Sequence, residues 1–261
     1  MFDANLIFHS SAIDTKILRG GYEMMMPYSL LSFGGLHTDY SKKVALGMDY
    51  SYEYKGNNSA ESYELKPSVT FRPFRTFTIR LSGDYIDNND NLQYVAERSY
   101  SGEPRYILGT IDQKTMGITL RLALNITPEF SIQYYGSPFI STGSYSEFKY
   151  VTNPVADAYN DRFTIYQNPV LSGTEYLLDE NNDMIPDYSI QNPDFNFHQF
   201  RSNFVAKWEY RLGSCIYFVW SSERTGNSMS SDATLKESFK ELRSIFPKNI
   251  FLIKFNYWFS L

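Results

Sequence analysis

Hydrophobic and polar residues alternate strictly over several long stretches of the chain. Residues 44–54 place Val44, Leu46, Met48, Tyr50, Tyr52 and Tyr54 on one side. Ala45, Gly47, Asp49, Ser51 and Glu53 fall on the other. The same period of two runs through 63–71, 77–85 and 116–126, and it returns at 203–211, 216–220 and 251–261. Side chains of a strand point alternately to its two faces, so each stretch predicts a strand with one apolar and one polar face. Most of these stretches run about 9 to 12 residues, closer to a tilted membrane-crossing strand than to the usual soluble strand of about 5 to 6.

The connections predict a direction. Arg72-Pro73-Phe74-Arg75, Thr127-Pro128-Glu129 and Arg211-Leu212-Gly213-Ser214 are short, whereas 151–197 and 226–248 read as long loops. Short turns at one end and long loops at the other are the habit of outer-membrane barrels. Aromatic residues gather at the ends of the alternating stretches (Tyr50, Tyr52, Tyr54, Tyr85, Trp208, Tyr210, Trp220 and Tyr257), as girdles at two lipid–water boundaries would. The rival reading is a soluble sandwich whose apolar faces pack together. A helix is expected from Asp232 to about Phe246, with Leu235, Phe239, Leu242 and Phe246 on one face and Pro247 ending it.

Composition narrows the function. The 261 residues include 22 Tyr and 20 Phe but only 3 Trp, and the net charge of -5 excludes a basic nucleic-acid binder. One cysteine, Cys215, excludes a disulfide framework or a multi-cysteine metal site, and three scattered histidines offer little to a metal cluster. No apolar run reaches the ~18 residues of a membrane helix. No Ser-His-Asp spacing, phosphate loop or zinc motif appears, so neither a catalytic nor a cofactor-binding residue is assigned and an enzyme is not expected.

Two groups of residues invite a site. Asp179, Asn181, Asp183 and Asp187 fall at positions 1, 3, 5 and 9 of DENNDMIPD. Alternate side-chain oxygens in a tight loop are what a hard cation such as calcium requires. Met184 stands where such loops take glycine, and Ile190 where an acid would close the shell. A calcium loop and a solvated acidic loop folded by Asx turns both stand as readings. The polar faces carry Asp49, Glu53, Lys66, Arg80, Asp84, Arg121, Lys207, Glu209, Arg211 and Lys254, for which a salt-bridged lining is expected.

Several segments resemble one family. They are TKILRGGYEMMMPYSLLSFGGLHTDYSKK, NLQYV at 91–95, RYILGTIDQKT at 105–115, TPEFSIQYYGSPFISTGSY at 127–145, NPDFNFHQFRSNFVAKWEYRLGSCIYFVW at 192–220 and FLIKFNYWF at 251–259. Together they are similar to the C-terminal β-barrel region of a Bacteroidota outer-membrane family of unknown function, whose members are often named after an N-terminal family 9-type carbohydrate-binding domain. The resemblance implies a C-terminal portion of a longer gene product, lacking that domain. It brings no catalytic residue. Leu212 departs from the proline usual before the glycine of the WEY turn.

The expected fold is therefore all-β: an antiparallel up-and-down transmembrane β-barrel, or a portion of one, of about 10 to 12 strands with long outer loops and one short loop helix. Residues 1–261 form one barrel region. The expected location is the bacterial outer membrane, and the expected partners are its lipid and, through the C-terminal strand, the barrel insertion machinery; a glycan or small solute is a further candidate. The expected function is a channel or transport-associated barrel. A non-conducting anchor for a periplasmic carbohydrate-binding-like domain is the alternative, and a glycan-processing enzyme is the weakest reading.

Overall fold

The computed structural model describes residues 1–228 and 235–259. In chain order its strands are β1 (Phe2–His9), β2 (Ala12–Asp14), β3 (Met24–Met26), β4 (Ser29–His37), β5 (Val44–Lys55), β6 (Ala60–Phe74), β7 (Phe77–Tyr100), β8 (Glu103–Asn125), β9 (Phe130–Val151), β10 (Phe163–Ile165), β11 (Val170–Ser172), β12 (Glu175–Leu178), β13 (Tyr188–Gln191), β14 (Phe195–Arg211), β15 (Ser214–Ser228) and β16 (Lys248–Asn256). The helix α1 spans Leu235–Ser244, between β15 and β16. The expected cap at Asp232 lies outside the described residues. The helix stops at Ser244, so Phe246 falls beyond its apolar face and is 90% exposed, while Leu242 is buried.

One antiparallel sheet dominates, in the order β1-β4-β5-β6-β7-β8-β9-β14-β15-β16, with β10 added to β9. Neighbours along the sheet are thus neighbours along the chain, interrupted only by excursions, as in an up-and-down arrangement. Two small sheets, β2-β3 and β11-β12-β13, complete the strands. Among the described residues no pairing joins β1 to β16; both are exposed along their whole lengths and the large sheet has two edges.

The alternating stretches lie in strands of this sheet, but β16 ends at Asn256, so Tyr257 and Phe259 of the expected last strand fall beyond it and Leu261 lies outside the described residues. The strands are often much longer than the stretches: β7, β8 and β9 have 24, 23 and 22 residues. Their extra halves rise past the alternating band, and those of β7 and β8 meet at the two-residue turn Ser101–Gly102, both at positive φ, the geometry that suits the twist of a hairpin. The stretch 151–197 is correspondingly not a bare loop, since it holds the end of β9, β10 to β13 and the start of β14.

The packed core sits at this tall end. Leu18, Met24, Leu92, Tyr106, Leu108 and Phe163 form one cluster; Ile107, Phe148, Tyr166, Leu178 and Ile190 form another. Because Ile107 and Leu108 are consecutive in one strand, the clusters lie on opposite faces of the sheet. The β2–β3 region covers one face and β11 to β13 cover the other.

Candidate functional site

Below the two cores the large sheet presents two unlike, uncovered faces. Its register carries the apolar residues of the strands onto one side: Phe71 and Val69 pair with Ile79 and Leu81, which pair in turn with Leu122 and Leu120. On the same side, towards the β16 edge, Phe204, Ala206 and Trp208 meet Trp220, Phe218 and Ile216, which meet Phe251, Ile253 and Phe255. Much of this side is open to solvent. Leu46 is 49% exposed, Val69 40%, Leu81 46%, Phe218 39% and Ile253 74%.

The apolar run on each central strand is bounded. On β8 it spans Met116 to Leu124, and the next residues on the same side are Lys114 and Asp112. On β7 it spans Phe77 to Tyr85, followed by Asp87 and Asn89. Tyrosines mark this upper limit. Tyr63 and Tyr85 both donate to the Asp87 carboxylate, at 2.9 and 3.2 Å, Tyr52 donates to Glu61 at 2.9 Å, and Tyr54 donates to Asn58 at 2.9 Å. Each ring lies at the edge of the apolar band while its hydroxyl reaches the polar residues above, the posture of an aromatic side chain at a boundary between greasy and wet surroundings.

The opposite face is polar. Asp49 is opposite Lys66 in register, and Lys66 pairs with Glu64 at 2.6 Å. His37 approaches Asp49 at 2.9 Å. A hollow of about 380 Å³ opens here, lined among others by Asp49, Lys66, Asp84 and Ser137. Charge is uneven along the face: the acids Asp49, Glu53, Glu64 and Asp84 lie with Lys66 on β5 to β7, whereas Arg80, Arg121, Lys207 and Lys254 lie on β7, β8, β14 and β16, with Glu209 beside Lys207 on β14. The expected salt-bridged lining is only partly present. Among the described residues no carboxylate lies within ion-pair distance of those last four cations. Lys254 instead sits 5.9 Å over the Tyr217 ring, and Arg121 5.3 Å over Tyr135. Glu209 is occupied by the Gly213 amide at 2.9 Å, and Arg211 donates to the Tyr257 hydroxyl at 2.8 Å.

The acidic loop 179–187 lies at the tall end. Its side chains fold it by accepting backbone N–H groups. Asp179 accepts from Asn182 at 2.7 Å and Met184 at 2.8 Å, Asn181 from Asp183 at 2.8 Å, Asp183 from Ile185 at 2.9 Å, and Asp187 from Glu180 at 2.8 Å. These are Asx-type turns. Met184 takes φ +71°, the backbone conformation for which calcium loops use glycine. Among the described residues no three His, Cys, Asp or Glu side chains gather closely enough to hold a metal ion.

Glu180, within the same loop, anchors it. The Arg105 guanidinium contacts both carboxylate oxygens at 2.9 and 3.0 Å, and the Tyr188 hydroxyl donates at 2.8 Å. Tyr188 is hydrogen-bonded in turn to Tyr166. Burial, then the Tyr166 partner and the Glu180 charge, hold the Tyr188 phenol well above its ordinary range. Burial raises Tyr166 as well, and on the other face it pushes Tyr159 up to about 12 and lowers the buried Lys149. The alternation gave no sign of this network, because Arg105, Tyr166, Glu180 and Tyr188 lie outside every periodic stretch.

Fold and surface together define an antiparallel all-β chain with one open apolar face and one open polar face. The chain belongs to the family described as a domain of unknown function, DUF5916, whose model matches residues 16–260. No curated protein matches it.

Proposed function

We propose that the chain forms the wall of an outer-membrane β-barrel, channel or transport-associated, with its apolar face in lipid and its polar face lining the lumen. The observation that carries this reading is the uncovered apolar band. On β7 and β8 it is nine residues tall, Phe77 to Tyr85 and Met116 to Leu124, close to the ~9–11 residues a tilted strand needs to cross a bilayer. A soluble sandwich would cover such a face with a second layer. Here the covering segments pack only above the tyrosine boundary. In lipid the edges β1 and β16 must both be paired, since unpaired backbone groups there cost several kcal/mol each. The ten-strand path is even in number, so its edges run in opposite directions and suit antiparallel closure, directly or through added strands.

The test is a comparison of boiled and unboiled samples of the outer-membrane fraction on SDS gels. Faster migration of the unboiled protein is expected for a closed lipid-embedded barrel. Recovery as soluble protein with no heat shift overturns the reading.

The anchor reading is favoured by one observation. The cluster built on Leu178, Ile190 and Tyr166 packs on the side of the sheet that continues the polar face, so residues 166–191 lie over the loop end of the proposed lumen. Single-channel recording in planar bilayers separates the two: stepwise conductance supports the channel, and its absence in a heat-modifiable protein supports the anchor.

A further inference from the structure

Arg80 and Arg121 are register partners on neighbouring strands, β7 and β8, with both side chains on the polar face. Directly opposed like charges are destabilising, because the Cβ atoms of such a pair stand only ~5 Å apart. The two side chains part. Arg80 leans toward β6, where its Nε donates to Thr70 at 3.2 Å, and Arg121 leans toward β9, over the Tyr135 ring. Neither has a carboxylate partner among the described residues. Both line a hollow of about 460 Å³ together with Thr78, Gln133, Tyr135 and Asn203. That volume suits a small solute, and the lining supplies amide, hydroxyl and guanidinium donors. Lys207 and Lys254 extend the positive field; Lys207 is four residues along β14 from Asn203, about 13 Å at the strand rise. The nearest acid on that strand, Glu209, is engaged by the turn.

We propose that Arg80 and Arg121 form an oxyanion-binding site on the polar face, taking a carboxylate or phosphate group of a small solute. Guanidinium forks match the planar oxygens of such groups, and an anion between them replaces repulsion by two charge-assisted contacts. The site deepens the barrel reading by naming what its polar face selects, but its chemistry requires only that this face be wet.

The experiment titrates the purified full chain with inorganic phosphate, by calorimetry and by thermal unfolding, beside Arg121→Gln, Arg80→Gln/Arg121→Gln, Arg121→Lys and the distant control Lys42→Gln. Saturable binding is expected in the parent and in Lys42→Gln, at least tenfold weaker in Arg121→Gln and absent in the double variant. Without anion, Arg121→Gln should unfold at a higher temperature than the parent, and phosphate should raise the midpoints of the parent and of Lys42→Gln but not that of the double variant. Absence of saturable binding in the parent, or equal binding in the double variant, overturns the site. If the glutamine variants fail to fold, Arg121→Lys decides: it keeps the charge and loses the fork, so unchanged affinity overturns the site. The gel shift is scored separately, so a soluble protein that binds phosphate would refute the barrel and keep the site.

Discussion

Ile107 and Leu108 are consecutive residues of β8, both completely buried, and they face different cores. Eight residues further along the same strand, Met116 begins an apolar run with no covering layer. One strand therefore passes from an interior buried on both faces to a wall bare on both. Truncating Ile107 or Leu108 to Ala should each destabilise the tall end by about 2 to 5 kcal/mol, the usual cost of an aliphatic cavity. The failures should differ. Ile107→Ala should expose residues 166–191 to protease, and Leu108→Ala should expose residues 12–26. Identical cleavage patterns would mean that the two clusters open as one.

Charge on the bare band distinguishes lipid from water at that face. Val69 is 40% exposed, and an arginine there in water would change stability by no more than about 0.5 kcal/mol. At the middle of a bilayer the same substitution costs about 2 to 4 kcal/mol, and near its boundary about 0 to 1. Val69→Arg should thus refold poorly into lipid vesicles, while Phe74→Arg, opposite Phe77 at the turn end of the band, should refold almost normally. Equal refolding of both would place the band in water.

The alternation made the middle of each strand legible and little else. The upper half of β7, DNNDNLQYVAERSY, is rich in residues that strands disfavour, yet it pairs with β8 because tertiary packing supplies Leu92, Tyr94 and Val95 with neighbours. In β9 the period is broken by Pro138 and by Glu147, which sits at φ +46° where the register with β8 shifts, so that Phe148 and Tyr150 change face relative to the residues before it. The band and the polar face were visible from period two alone. The opposition of Arg80 to Arg121 was not, since it depends on register between strands.

The acidic loop takes two non-glycine residues to positive φ, Asn182 at +61°, which asparagine tolerates, and Met184. Met184 lies at φ +71° with its side chain 94% exposed, so it gains little packing there in return for an unfavourable backbone. Met184→Gly should stabilise the loop by about 1 kcal/mol, read as slower amide exchange at Asn182 and Met184. The effect should be present without calcium. A gain that appears only when calcium is added would instead show that the turn serves a cation.

Glu180 should be the most sensitive single point of that loop. Its side chain is 9% exposed and its partner Arg105 is 23% exposed, so the pair is buried on the acid's side and partly screened on the other. Removing one partner leaves an uncompensated charge. Arg105→Met should cost about 2 kcal/mol, discounted for that screening, and should open 179–187 to protease. Changing both to Met should cost less than Arg105→Met alone. If the double variant loses more than Arg105→Met, the pair does not hold the loop.

Alkaline pH should release the tall end before the wall. Tyr159 is raised to about 12 and Tyr166 and Tyr188 are raised further by burial, against about 10 for a phenol in the unfolded chain. Between those limits the folded chain keeps protons that the unfolded chain gives up, so stability falls as pH rises. The contribution is whole below pH 10 and is lost progressively above it. A titration followed at 295 nm should show a late, cooperative step as Tyr159, Tyr166 and Tyr188 ionise on local unfolding. In Tyr188→Phe that step should shrink and move, because the hydrogen bonds to Tyr166 and Glu180 are gone. A smooth single titration in the parent would mean that these phenols are open to solvent and that the loops do not cover them.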